Sequence, residues 1–375
     1  MNKTKSKKKD QNKKIRKQKW NLHKKIFFGL LLLVLALAFL NVAKASGWLI
    51  PAQKPVEIKD KAISLDSLTL EQKIAQMVIV HGGQWNLEAW KKMQIGGIHL
   101  FAMKDAQLYQ ELISKYQENA TIPFLVTADL EGCWNPFSYF RNFTALRDIS
   151  TEAEAYAVGK EEGAFLHQLG FTVDFSPVVD LKDEIWNCRS FLGDKEQVTK
   201  LAQAYINGLQ SQEITATAKH YPGKTLVVRD PHKYIVSAEI EANDVYPFTI
   251  LSQDKELKGM MVSHIISSGA VDSFGKPAVV SAEALNELKS SFYGIIFSDE
   301  VNMLGLKDYY SSQDDLYLAV FAAGNDVVIN FNEDPNEIYH MIQVVKEAVE
   351  KGKIPLEQID TSVKKILELK GFKVV

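Results

Sequence analysis

The stretch GMMVSHIISSGAVDSFGKPAVVSAEALNELKSSFYGIIFSD, residues 259–299, shows the repeating unit of the chain most clearly. It opens on a short apolar run, GMMVSH (259–264), passes through Ser281–Ser291, where apolar residues recur at helical period, and closes on a second apolar run, GIIFSD (294–299). Strand, helix and strand in that order predict two parallel strands, with the helix packed on the sheet they share. The same short run recurs as MVIV (77–80), GIHLF (97–101), FLVTAD (124–129), FTVDFSP (171–177), TATAKH (215–220) and DVVIN (326–330). Helical stretches such as Ala106–Gln117, Glu152–Leu169 and Val198–Gln210 lie between them, and a terminal helix follows at Leu356–Leu369. Eight such units predict an α/β fold, a single (β/α)8 barrel of TIM type. A doubly wound open sheet is the competing fold, but it usually has fewer strands and a glycine-rich phosphate loop, and neither G-x-G-x-x-G nor a P-loop occurs here.

Barrel enzymes place their chemistry at the C-terminal ends of the strands. Here those ends carry Asp129, Asp174, Asp180, Lys219-His220, His264, Asp299 and Asn330. One polar residue at a strand end is an ordinary solvated rim residue. Several facing one mouth point to a site.

The 375 residues carry a formal charge of −2, unevenly spread. Residues 1–25 hold twelve cations and one carboxylate, a net of +11, which leaves −13 on the rest of the chain. An acidic body is a poor nucleic-acid binder, because phosphate contacts need a basic face. The basic tail is followed by IFFGLLLLVLALAFL (26–40), extended by Val42 and Ala43, an apolar run that just reaches across a hydrocarbon core of about 30 Å. A basic flank stays in the cytoplasm, so the remainder is expected outside. The sequence therefore divides into a basic tail (1–25), a transmembrane anchor or signal segment (26–45, in the membrane through 26–43), a Pro-containing linker (46–65) and a barrel domain (66–375). Length and the long basic flank favour an uncleaved anchor, whereas Ala43-Lys44-Ala45 has the form of a cleavage site, which would give a secreted protein. Cys133 and Cys188 both fall in the exported part, each after a different strand at one barrel face, and are expected close enough for a bridge. No paired Cys/His spacing suggests a metal site, and no step below needs a metal or organic cofactor.

The sharpest motif is Lys219-His220-Tyr221-Pro222-Gly223, followed by Asp230-Pro231-His232. The second is Gly294-Ile295-Ile296-Phe297-Ser298-Asp299. Together they resemble glycoside hydrolase family 3, in its β-N-acetylhexosaminidase branch. That branch reads Lys-His-Phe-Pro-Gly-His-Gly after strand five, and an apolar strand ending in Ser/Thr-Asp at strand seven. Asp129-Leu130-Glu131-Gly132, Phe175-Ser176-Pro177-Val178-Val179-Asp180, Arg189-Ser190-Phe191, Met261-Val262-Ser263-His264 and Ala322-Ala323-Gly324-Asn325-Asp326 extend the similarity in the family's order. The resemblance implies Asp299 as nucleophile, His232 as acid/base, and Asp129, Arg189, Lys219 and His220 as the residues that grip the sugar. Retaining hydrolysis requires a carboxylate under the anomeric carbon and a proton donor beside the glycosidic oxygen. A histidine whose ordinary pKa is about 6.5 suits the second task, and Asp230, two residues earlier, is placed to orient its ring. The bland alternatives are a helix cap for Asp299, a surface loop for His232, and an ion-pair partner or core histidine for Lys219 and His220.

The chain also departs from the family pattern. Cys133-Trp134-Asn135-Pro136-Phe137 replaces the Gly-x-Val-x-Arg that follows Glu-Gly in the family, so a substrate-contacting arginine is missing. Arg141 is a candidate substitute, and Trp134 a candidate for stacking on a sugar ring. Lys224-Thr225-Leu226-Val227 replaces His-Gly and polar residues, and Glu300 replaces an aspartate. The expected activity is removal of terminal β-linked N-acetylhexosamine from extracytoplasmic glycans. β-Glucosidase action, sugar transfer to phosphate, a Schiff-base aldolase built on Lys219, and a tethered glycan-binding protein with a decayed site are the alternatives.

Overall fold

The computed structural model describes residues 2–45, 47–226, 229–230, 233–254 and 256–375. The chain forms two compact units, divided between Leu49 and Ile50. The first is built on one helix, Asn2–Ala45, within which Lys19–Leu40 is long and apolar enough to cross a membrane. Its apolar side chains from Ile26 to Leu40 are exposed.

The second unit is the barrel. Its strands are β1 (Val78–His81), β2 (Gly97–His99), β3 (Leu125–Ala128), β4 (Val173–Asp174), β5 (Thr215–Tyr221), β6 (Gly259–Val262), β7 (Ile295–Ser298) and β8 (Val328–Asn330). Each pairs in parallel with the next in sequence from β1 to β7, and β8 pairs in parallel with β1. A parallel bridge between Phe297 and Val327 joins β7 to the entry of β8 and completes the circuit. All eight apolar runs are strands of this barrel.

β4 is two residues long where seven were expected. The pairing still extends past the strand's ends through Thr172 N to Val126 O (2.9 Å), Phe175 N to Ala128 O (2.8 Å) and Thr217 N to Ser176 O (2.8 Å). Phe175 and Phe297 meet inside the barrel with ring centroids 5.4 Å apart, so the interior is packed rather than open.

The helices begin where short polar side chains can accept from free N–H groups: Asp105, Thr151, Asp194 and Ser281 each cap the first turn. The helix expected from Val198 starts at Lys195, since its first turn is polar and adds nothing to the apolar period. Within the expected linker, residues 50–65 belong to the barrel unit. Ile58–Lys59 and Ala62–Ile63 form a hairpin that also pairs with Lys373–Val374, and Ile50, Val56 and Ile63 are buried in the core. Two-residue strands are too short to show an alternating pattern.

Candidate active site

Asp129 and Glu131 follow β3, Lys219 lies on β5, and Arg189 stands on the loop after β4. Lys219 is buried, with its ammonium 2.5 Å from Asp129 Oδ1 and 2.5 Å from Glu131 Oε1. Glu131 is buried too and accepts from both Nε and Nη2 of Arg189, the second at 2.6 Å. Carboxylate, ammonium, carboxylate and guanidinium thus alternate, and each buried charge has an opposite neighbour. Burial would raise the carboxyls of Asp129 and Glu131, yet Lys219 and Arg189 hold both below the usual range. Burial likewise pulls Lys219 down, and its two carboxylates more than offset this, so it stays charged.

Two turns set this chain of charges in place. Glu131 N donates to Trp134 O at 3.0 Å, and the turn between them passes through Gly132 at φ 67°. A Cβ at Gly132 would stand 2.1 Å from Thr144 O, so only glycine fits. On the facing loop, the Asp183 carboxylate accepts from the backbone N–H groups of Trp186, Cys188 and Arg189, each at 2.8 Å. A disulfide between Cys133 and Cys188, with Cα atoms 6.1 Å apart, joins the two loops.

Asp299 ends β7. Its N–H donates to Val262 O of β6 at 3.0 Å, and its Oδ1 accepts from Glu300 N at 2.8 Å. Glu300 Oε1 accepts from the N–H groups of Asn302 (2.9 Å) and Phe331 (3.0 Å), while burial raises the Glu300 carboxyl. On β5, His220 Nδ1 lies 2.9 Å from Asp180 Oδ2, so contact with a bound molecule falls to Nε2. His99 is stacked on Phe175, and burial lowers its pKa to about 4, leaving a neutral ring 3.6 Å from Asp129.

Asp299, Asp129, Arg189, Lys219 and His220 line one pocket of about 80 Å³, together with Trp134, Trp186, Glu300 and Phe331. A larger cavity of about 630 Å³, lined in part by Leu257, Phe292, Tyr293 and Ile295, lies at the N-terminal ends of β6 and β7. Barrels keep stability rather than chemistry at that end, and the polar strand ends sit around the smaller pocket. Asp230 pairs with Lys233 at 3.2 Å. His232, the expected acid/base, lies outside the described residues. Among the described residues no three His, Cys, Asp or Glu side chains gather as a metal cradle would.

Arg141 does not replace the missing arginine. It pairs with Glu161 at 2.8 Å and covers the rings of Phe143 and Phe165, because cation–π contact and a surface carboxylate hold it there. Trp134, by contrast, lines the pocket. Sequence reasoning missed Glu131, Trp186, Glu300 and Phe331. Glu131 lies in the segment Asp129-Leu130-Glu131-Gly132, but its pairing with Arg189, 58 residues on, leaves no local mark in the sequence.

A barrel with carboxylates, cations and aromatic rings gathered around one small pocket at its strand ends has the form of a carbohydrate-active enzyme. Residues 69–369 match the glycosyl hydrolase family 3 N terminal domain, and the chain belongs to that family. It is 25% identical over 332 residues to the beta-hexosaminidase LpqI of Mycobacterium bovis, covering 81% of this chain and 83% of that protein. It is 33% identical over 230 residues to a beta-hexosaminidase of Tolumonas auensis, covering 56% of this chain and 68% of that one. Among solved structures, M tuberculosis LpqI superposes with a TM-score of 0.75 at 23% identity, over 82% of this chain and 95% of its own, which is a likeness of fold.

Proposed function

We propose that this family 3 glycosidase removes terminal β-linked N-acetylhexosamine from glycans outside the membrane, by double displacement. The observation that carries the reading is Asp299 at the end of β7, lining the same pocket as Asp129, Arg189, Lys219 and His220. Asp299 attacks the anomeric carbon as the glycosidic oxygen takes a proton from His232. Water, activated by the same imidazole, then releases the sugar from Asp299. Asp230 orients His232 and favours its protonated form. The charged floor of the pocket binds the sugar hydroxyls through charge-assisted hydrogen bonds.

The beta-hexosaminidase relatives support the choice of sugar. The basic tail and the apolar helix Lys19–Leu40 support a membrane-held enzyme with its barrel outside.

Release of an aryl leaving group from an N-acetylglucosaminide, beside the matching glucoside, tests this. Wild type is expected to favour the N-acetylglucosaminide. Asp299→Asn loses activity by about a thousandfold or more, and His232→Ala by about a hundredfold. Sugar binding with no turnover in wild type would make this a tethered glycan-binding protein. Transfer to phosphate is a second reading, favoured by the Asp230-x-His232 pattern, since a histidine does not repel an anionic acceptor as a carboxylate does. Sugar phosphate appearing in phosphate buffer would establish it.

A further inference from the structure

The loops after β3 and β4 are fastened twice within a few residues. Cys133 is bonded to Cys188, and the neighbouring Glu131 holds Arg189 through two hydrogen bonds. Directly beside these ties stand two indoles, Trp134 and Trp186, edge to face with centroids 6.4 Å apart, both lining the pocket. The Arg189 guanidinium lies 4.6 Å from the Trp186 ring centroid, so the wall continues into the charged floor. The two parts differ in exposure: Lys219 is 2% exposed and Arg189 7%, whereas Trp134 is 55% exposed. Trp134 therefore stands at the open edge of the pocket, on the solvent side of the floor, where a sugar joined to a seated pyranose would extend.

We propose that Trp134 and Trp186 form a binding wall for the second sugar of the substrate, and that the Cys133–Cys188 bridge is the positioning element that holds this wall in place. The inference deepens the glycosidase reading and rests on it for the class of sugar. An indole offers a flat apolar face to the C–H groups of a pyranose, worth a few-fold to about tenfold in affinity. A wall fixed beforehand loses little freedom when the sugar arrives. Once Cys133 and Cys188 are unlinked, the backbone carrying Trp134 keeps the ion pair of Glu131 but loses its covalent stop.

The test is calorimetric titration of the full chain carrying Asp299→Asn, which leaves the ligand uncut, with N-acetylglucosamine and with its β-1,4-linked disaccharide. The disaccharide is expected to bind about three- to tenfold more tightly than the monosaccharide. Trp134→Ala should erase that advantage, bringing disaccharide affinity down to that of the monosaccharide in the same variant, and Cys133→Ser with Cys188→Ser should shrink it in the same way. Equal affinity for the two ligands before any change to Trp134 overturns the proposal, as does a Trp134→Ala variant that keeps the advantage. If both affinities fall together in the serine variant, the bridge supports the whole pocket and the positioning role is wrong. Because binding is read directly, an inactive wild type that still prefers the disaccharide refutes only the hydrolytic reading.

Discussion

The ammonium of Lys219 stands 2.5 Å from the carboxylate of Asp129, on the floor of the pocket, and the same ammonium reaches back to buried Glu131. One cation therefore serves two anions of different kinds. Asp129 is partly open to a bound molecule, while Glu131 is sealed behind it and is shared with Arg189. The groups that would meet a sugar are held by a frame that would not touch it, so the frame can be tested through stability.

Glu131→Gln removes the central anion and leaves Lys219 and Arg189 close together in a buried place. Breaking one member out of a buried ionic cluster costs about 3–5 kcal/mol, and a loss of that order is expected in urea unfolding at neutral pH. A midpoint unchanged from wild type would mean that the two cations have other partners.

The same variant has a pH signature. Burial opposes ionisation of Asp129 and Glu131, but the neighbouring cations hold both folded-state pKa values below the ordinary 3.8 and 4.5. For a depressed acid the contribution is fully present above the unfolded pKa and is lost as pH falls through the folded one. Wild type should therefore exceed Glu131→Gln by its full margin above about pH 5, and the margin should narrow steadily in more acidic solution. A margin equally wide at both ends of that range contradicts the assignment.

Glu162 behaves in the opposite sense. Burial raises its carboxyl to about 8, against the opposing hydrogen bond from Tyr205, with nearby Glu161 adding to the rise. A raised acid gives stability that is complete below its unfolded value of 4.5 and is lost as pH climbs through about 8. Wild type should lose stability between about pH 5 and pH 9, and Glu162→Gln, which cannot ionise, should lose less by an amount on the order of a few kcal/mol. Parallel urea midpoints for the two proteins across that range would rule this out.

Much of the barrel was legible because each strand is a short apolar run bounded by polar residues, and each long helix shows its buried stripe. Ala106–Gln117, Glu152–Leu169 and Leu356–Leu369 fall where the period places them. What was hidden depends on distance in space. Glu131 shows no partner in the sequence until Lys219 and Arg189 close over it, and only the fold brings Trp186 to Trp134. Arg141 misleads for the same reason. It is close in sequence to the lost arginine, but the turn through Asn135 and Phe137 carries it toward Glu161 and the aromatic rings of Phe143 and Phe165.

The helices Glu152–Leu169 and Lys195–Gln210 touch backbone to backbone, which explains glycines that helix propensity would reject. A Cβ at Gly208 would lie 2.2 Å from Tyr156 O, and one at Gly159 would lie 2.2 Å from Tyr205 O. Gly208→Ala gains about 1 kcal/mol of helix propensity yet must push the helices apart, at a cost of about 1–3 kcal/mol or more. A net fall in melting temperature is expected, and a rise would show that the two helices can separate without loss.

Asp183 acts on the pocket from outside it. Its carboxylate gathers three N–H groups, and those hydrogen bonds, chiefly from Arg189, outweigh burial and keep it ionised below the usual range. Asp183→Ala frees the segment that carries Trp186 and Arg189, while the Cys133–Cys188 bridge still tethers its far end. Asp299, directly after β7, is untouched, so the chemical step should hold. The expected outcome is a rise in KM of about three- to tenfold with kcat within about twofold of wild type, from the few kcal/mol at most that lost hydrogen bonds to a loop carboxylate are worth. A fall in kcat with KM unchanged would place the effect of this loop on Asp299 rather than on the sugar-binding wall.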